Sequence, residues 1–484
     1  MSPAWRAAAR VAGLLIALAL LGAFASVARA FAADAGAAGA DKAHADAQGS
    51  SPENAGSPRG PQTAEGAPVA SGQGLTIERA LALALGRNEG LKVDEQRLRE
   101  SQAGVSEARA AFLPSLNLSF AYTPTQASPL LRIPAGAFGP TEQSFRANFV
   151  RENVVRLDIQ QPIYTGGRLE HAFGAQAANQ EASRLTLDRA RQTLSLRVYE
   201  TFYAELMSQQ GIRVNEEGVR ISERHLELAR ARFDAGSAAR LDVLRAEVEL
   251  ANARARLIRA RSTAAVATQS LRNVLVLPDA EPLSLVGTLD DVPSLPTAAT
   301  LQGTVGARPD IRALGQQKEA AERLIALAAA DLKPTVAFAG NLQYQEDGVS
   351  KLLNGTNRSY QFGLSVSVPL FKTPTVAARK AVASARASQA EHGAKAALDG
   401  ARLELASAST EFDASREIVA TEQKAVELAR EGLSIAEVSY ENGVITATEL
   451  NDARLSLLET EWELMQAKYA QIIAAARTRH AAGI

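Results

Sequence analysis

Four stretches of the chain alternate apolar and polar residues with a period of two. Leu116, Leu118, Phe120 and Tyr122 alternate with Asn117, Ser119 and Ala121. Val155, Leu157 and Ile159 alternate with Arg156, Asp158 and Gln160. Later come Val336 and Phe338, then Leu342 and Tyr344. Their partner stretch places Tyr360, Phe362, Leu364, Val366 and Val368 against Gln361, Ser365 and Ser367. This period predicts two-faced strands at about 115–124, 149–163, 334–345 and 359–370. An apolar-out, polar-in wall of a membrane barrel has this pattern, and so has a soluble antiparallel sheet with one wet face.

Past Pro162 and Pro369 the period changes to that of a helix. Proline fixes φ and lacks a donor, which suits a strand end or a helix start, and both prolines read as strand-to-helix transitions. Two helices are predicted, from about Arg168 to Asp234 and from about Thr375 to Glu441, each roughly 100 Å long at 1.5 Å per residue. The second carries a heptad of Leu398, Leu405, Phe412, Val419, Val426, Leu433 and Tyr440. Three residues on runs a small or polar seam of Ala401, Ala408, Ser415, Glu422, Ala429 and Ala436. The first helix keeps a looser register with Val198, Ile212, Val219, Leu226 and Phe233. A sustained seven-residue repeat implies a left-handed coiled coil. Apolar positions off the main seam, such as Leu428 and Ile435, suit a helix contacted on two sides. Each helix stops at a glycine, Gly236 or Gly443, and a second helix runs back from about Leu241 or Thr448.

The chain is an internal duplication. A constant offset relates Phe233 to Tyr440, Asp242 to Glu449 and Ala246 to Ala453, and a larger one relates Pro114 to Pro334. The extra residues of the first copy therefore lie between Pro114 and Pro162. The expected order is a first repeat at 75–277, a proline-marked linker at 278–307 and a second repeat at 308–484. Each repeat holds a helix, two strands and a long helical hairpin, so the fold is mixed α and β.

Ahead of the repeats, residues 1–30 read as a secretory signal peptide: Arg6 and Arg10, an apolar run from Val11 to Val27, then Ala28-Arg29-Ala30. Cleavage exports the mature chain from the cytoplasm. Residues 31–74, rich in Ala, Gly, Asp, Ser and Pro, read as a disordered leader. No later stretch is apolar enough to span a bilayer as a helix, so a membrane location requires a β-barrel. Net charge is −1, which excludes the basic footprint of a nucleic-acid binder. There is no cysteine, which excludes disulfides, thiolate metal sites and an N-terminal lipid anchor on Cys. The histidines, His44, His171, His225, His392 and His480, lack metal-ligand spacing. No catalytic constellation, cofactor motif or metal site is visible.

Several short motifs resemble those of the TolC-like outer-membrane efflux family. They are Ala111-Phe112-Leu113-Pro114-Ser115-Leu116, Gln161-Pro162-Ile163-Tyr164-Thr165-Gly166-Gly167, Arg308-Pro309-Asp310-Ile311, Val368-Pro369-Leu370 and Tyr440-Glu441-Asn442-Gly443. Each is weak alone; their order and the duplication make the set specific over about residues 75–476. The resemblance implies a homotrimer in the outer membrane. Four transmembrane strands per chain would close a twelve-stranded β-barrel, and the helices would form a coiled-coil tunnel across the periplasm. A periplasmic adaptor and an inner-membrane pump would dock at the hairpin tips, around Gly236 and Gly443. It also implies that Glu449 and Asp452, three apart on one helix face, line the periplasmic entrance as a cation-selective ring that raises the pKa of its members. Tyr440 and Asp242 match positions that hold neighbouring hairpins closed. The family's closing arginine, two residues after the second tip glycine, is here Ile445. The function implied is an exit duct of a tripartite efflux or type I secretion system. The alternative is a periplasmic adaptor, which would normally carry one hairpin among soluble β-domains.

Overall fold

A computed structural model describes residues 74–123, 130–136, 139–146, 152–278, 283–346, 358–442 and 444–484. The expected signal peptide, the leader up to residue 73 and Gly443 lie outside the described residues. The helices are α1 (Ile77–Arg87), α2 (Glu89–Ala110), α3 (Arg168–Asp234), α4 (Arg240–Leu275), α5 (Ala298–Thr304), α6 (Pro309–Ala330), α7 (Thr373–Glu441) and α8 (Ala447–Ala482). The strands are β1 (Ser115–Thr123), β2 (Leu130–Ile133), β3 (Gln143–Arg146), β4 (Glu152–Tyr164), β5 (Thr335–Glu346) and β6 (Arg358–Ser367).

The duplication is visible in lengths. Helices α2 and α6 both have 22 residues. Helices α4 and α8 both have 36, and α3 and α7 have 67 and 69. The extra residues of the first copy include a free-standing antiparallel hairpin, β2–β3. The sequence pattern had not marked these strands, because four residues are too few to show an alternation. The linker likewise contains the unforeseen α5 and a 3-10 turn, Val305–Ala307.

Strands β1, β4, β5 and β6 form one antiparallel sheet in that order. Leu118 lies opposite Leu157, Leu157 opposite Leu342 and Leu342 opposite Tyr360. One face is therefore mainly apolar, interrupted by Asn153 and Gln161, and its outer strands are bare: Leu118, Phe120, Tyr122, Tyr360, Leu364 and Val366 are all exposed. The two edge strands, β1 and β6, have no partner in the sheet on their outer sides.

From β4 the chain enters α3 through Thr165, Gly166 and Gly167. Both glycines have positive φ, 68° and 88°, a region that side chains rarely adopt. A Cβ on Gly166 would also lie 2.6 Å from Lys333 Cβ. The turn is thus pressed against the end of α6 and requires glycine.

Toward the hairpin tips the helices form a row in which α4 packs on α3, α3 on α8 and α8 on α7. The outer members, α4 and α7, share no extended contact. Nearer the sheet, α2 and α6 pack on α3, and α6 on α7. On α7, Leu405, Val419 and Val426 are buried together with Ala401, Ala408 and Ser415. The heptad and its small seam therefore face the neighbouring helices, and small side chains let the axes approach. The largest core lies where α1 and the linker wrap the middle of the hairpins. Phe202, Val198, Leu271, Leu275 and Ile472 are almost fully buried there. Leu75 bridges Leu285 beside it. Among the described residues no helix is long and apolar enough to cross a membrane.

Candidate functional site

The hairpin tips are built from the same local chemistry twice. Helix α3 ends with Gly236 at φ 76°. The Gly236 N–H donates to Phe233 O at 2.9 Å and the Ser237 N–H to Arg232 O at 2.8 Å, which satisfies carbonyls that the helix leaves orphaned. At the end of α7 the Val444 N–H donates to Ser439 O at 2.8 Å and Asn442 Nδ2 to Val438 O at 2.7 Å. Val444 is exposed and Ile445 half-buried.

The returning helices each start with an acid at the third position. The Asp242 carboxylate accepts the Ala239 N–H at 3.2 Å. Glu449 completes a reciprocal box. Its carboxylate accepts the Thr446 N–H at 2.7 Å and the Thr446 hydroxyl at 2.9 Å, while the Glu449 N–H donates back to Thr446 Oγ1 at 3.3 Å. The Thr446 backbone N–H, and then its hydroxyl, hold the Glu449 carboxyl below the usual carboxylate range. Within one subunit the shift is thus opposite to the rise expected of a ring, which requires carboxylates of different subunits to approach. Asp452 is exposed and has no partner among the described residues.

Tyr440 is half-buried on the α7 seam, and its hydroxyl makes no hydrogen bond among the described residues. Asp242 is exposed. The structure does not bring these two together in one chain, because they stand on α7 and α4, the outer members of the row. Pro162 lies inside β4, opposite Ala337, with a register shift between Pro162 and Tyr164. Pro369 lies between β6 and α7, where Leu370 and Phe371 are 90% and 86% exposed.

A second constellation lies at the junction of α3, α6, α7 and the end of α8. Arg308 is 4% exposed. Its guanidinium donates to Asp310 at 3.1 and 2.8 Å, to Glu404 at 2.8 Å and to Ala481 O at 2.9 Å. Arg189 donates to His480 O at 2.8 Å, and Gln192 to Gly483 O at 2.8 Å. This clasp binds the C-terminal end of α8 to three other helices. Sequence reasoning noticed the Arg308-Pro309-Asp310 motif but not its partners. Glu404 and His480 are about a hundred residues or more away, and no local pattern joins them. No group of His, Cys, Asp and Glu able to hold a metal exists among the described residues.

Four two-faced strands, too few to close on themselves, joined to paired helical hairpins define a channel-forming subunit of the outer-membrane barrel-and-tunnel class. The family model described as outer membrane efflux protein matches residues 80–275 and 301–484, and the chain belongs to that family. It is an outer-membrane efflux channel component and not an enzyme. Its sequence is similar to the cobalt-zinc-cadmium resistance protein CzcC of Cupriavidus metallidurans, 24% identical over 393 residues, covering 80% of this chain and 84% of that protein. It is also similar to the alkaline protease secretion protein AprF of Pseudomonas aeruginosa, 22% identical over 432 residues, covering 85% and 87%. Among solved structures, the outer membrane protein VceC of Vibrio cholerae shares the fold with a TM-score of 0.69 at 20% identity, covering 84% of this chain and 96% of that one.

Proposed function

We propose that three copies of this chain close a twelve-stranded barrel in the outer membrane and a helical tunnel beneath it. The assembly passes cargo from a periplasmic adaptor and an inner-membrane pump to the exterior. The single observation that carries this reading is the pairing of bare edges. The sheet leaves β1 and β6 unpaired, and four strands cannot close a barrel whose practical minimum is eight. The helix row leaves α4 and α7 with second apolar seams facing outward. On α4 these are Leu241, Leu244, Val248 and Ile258; on α7, Leu403, Leu428, Ile435 and Val438, all exposed. An unburied seam at heptad spacing wants a partner helix, and α4 of one copy against α7 of the next supplies it. The same closure puts Asp242 of one copy near Tyr440 of the next. It gathers Glu449 and Asp452 around one entrance, with the tips at Gly236 and Gly443 offered to the adaptor. Export by a cleaved signal peptide at residues 1–30, without lipidation, completes the reading.

Mass measurement of the purified protein in mild detergent tests it. A trimer is expected, and Ile258→Glu or Ile435→Glu should yield smaller species. A stable monomer, or a chain fully soluble without detergent, overturns it.

A further inference from the structure

The bare sheet has a second face, and in the closed barrel that face lines the duct. Counting inward from the apolar side, the lumen receives Asn117 and Ser119 of β1, Arg156 and Asp158 of β4, Asn341 and Gln343 of β5, and Gln361 of β6. Of the residues in this sheet whose side chains are described, Arg156 and Asp158 are the only charged ones. Register places each at a defined height. Arg156 is level with Ser119 and Gln343, and Asp158 with Asn117 and Asn341.

Neither charge is neutralised locally. Arg156 donates from Nε and Nη2 to Gln343 Oε1 at 3.1 and 2.7 Å, and neither residue forms an ion pair among the described residues. Gln343 in turn donates from Nε2 to Gln345 Oε1 at 3.2 Å. The guanidinium is tethered sideways at its own level and does not fold onto the carboxylate next along the strand.

We propose that Arg156 and Asp158 are specificity-determining residues of the exit. Repeated three times, they form two stacked rings of opposite charge that sort solutes in the barrel by sign. The inference rests on the barrel reading above. Strand β4 runs from the loop end of the barrel toward the helices, so the arginine ring is outermost and the aspartate ring, two residues on in a tilted strand, lies about 5 Å deeper. The outer ring concentrates anionic groups and repels cations, and the inner ring does the reverse. Twelve tilted strands spaced about 4.8 Å apart give a backbone radius of roughly 11 Å. Inward side chains narrow this to a lumen comparable with the Debye length of about 8 Å at physiological salt. The rings therefore act across the opening.

The chain contains no cysteine, so single reporters are available. Ser119→Cys stands at the level of the arginine ring, Asn117→Cys at that of the aspartate ring, and Leu118→Cys on the apolar face. Each purified variant is reconstituted in nanodiscs at low ionic strength. It is then treated with two thiol-specific reagents of similar size, one bearing a sulfonate and one a trimethylammonium. The rate ratio of the two reagents cancels any change in thiol ionisation. A local potential of one kT acting on a two-charge difference changes that ratio roughly seven-fold. The sulfonate should be favoured at position 119 and the ammonium at 117, and Leu118→Cys should resist both. Arg156→Gln should abolish the preference at 119, and Asp158→Asn that at 117. Equal ratios at 119 and 117 with Leu118→Cys still protected overturn the rings while leaving the barrel intact. A reactive Leu118→Cys with protected 117 and 119 overturns the barrel reading and the rings with it. The comparison of 119 with 117 stands even if a charge variant fails to fold.

Discussion

A Cβ built on Gly340 would lie 2.3 Å from Phe362 Cδ1 and 2.6 Å from its Cε1. The two residues face each other across β5 and β6, and the Phe362 ring stacks on Phe338 with centroids 6.2 Å apart. The ring thus covers the glycine on the apolar face. Gly340→Ala should push Phe362 aside and cost about 1 kcal/mol, the low end for overpacking, because the ring can swing outward. The measurement is the temperature at which the barrel loses its compact electrophoretic form. His480 gives a pH dependence. Arg189 Nη2 lies 3.3 Å from His480 Nδ1, and an arginine only donates. Nδ1 must therefore accept, and Nε2–H faces Thr193 Oγ1 at 3.2 Å. This neutral form is held by burial first and by the Arg189 charge second, which push the His480 pKa down to about 4. Glu404 opposes the shift from 3.7 Å. As pH falls below about 6.5 the unfolded chain takes up a proton that the folded chain refuses. Stability should fall between pH 6.5 and about 4, with no further loss from this group below that. Unfolding midpoints of wild type and His480→Gln across this window should converge as pH falls; parallel curves would remove His480 from the account.

Among the elements, the clasp holds the C-terminal end of α8 against α3, α6 and α7. Arg308 ties α6, α7 and the end of α8 at one point, and Gly483 fits beside it only because it lacks a side chain: a Cβ there would lie 2.8 Å from Arg308 Cγ. Arg308→Ala leaves Asp310 and Glu404 with only the longer contacts to Arg189, at 3.6 and 4.0 Å. The expected cost is about 3 kcal/mol, the low end for breaking a buried pair, since both acids keep some solvent access. Hydrogen exchange should rise first in the last turns of α8 while the tips stay as they were. Uniform loss of protection along both hairpins would mean that the clasp is not a local device. The capping box at Thr446 and Glu449 is the opposite case. It is exposed, and it orders only the first turn of α8.

For the whole molecule, the reading of the tips becomes a statement about conduction. Glu449→Gln with Asp452→Asn should weaken cation selectivity and block by divalent cations. Asp452, which no cap engages, should account for most of the change. Unaltered selectivity in bilayer recordings would return both residues to plain surface charge. Closure is expected to depend on Tyr440, Asp242 and apolar contact around Val444 and Ile445. A hydrogen bond from a tyrosine hydroxyl to a carboxylate is charge-assisted and contributes about 1.5–3 kcal/mol net, and three symmetric copies multiply that amount. Tyr440→Phe should raise conductance modestly and added Asp242→Ala further, while salt alone should open the duct little, because salt screens a direct hydrogen bond across the closed seam less than it screens an ion pair in open water. If salt opens the wild type as far as the double variant, an ion-pair lock holds the tips.

The sequence by itself determined the repeating content of this protein. Period-two alternation marked β1, β4, β5 and β6. The heptad from Leu398 to Tyr440 marked the seam of α7, and Gly236 and Pro369 marked where elements end, whereas Pro162 falls inside β4. These are local signals, because a strand or helix must show one face to its neighbours wherever it lies. The pattern could not carry what depends on neighbours far along the chain. It missed the β2–β3 ribbon, which is too short to alternate. It missed the clasp, whose Arg308, Glu404 and His480 meet only through folding. It placed Glu449 and Asp452 on one face as equals, yet helix geometry commits Glu449 to Thr446 and leaves Asp452 free of any cap. The family resemblance joined Tyr440 and Asp242 as closing positions of neighbouring hairpins, without showing that one chain holds them on opposite flanks. Only the tertiary structure decided that separation, because the order of helices in a row is set by which faces bury together, and no residue along the chain encodes it alone.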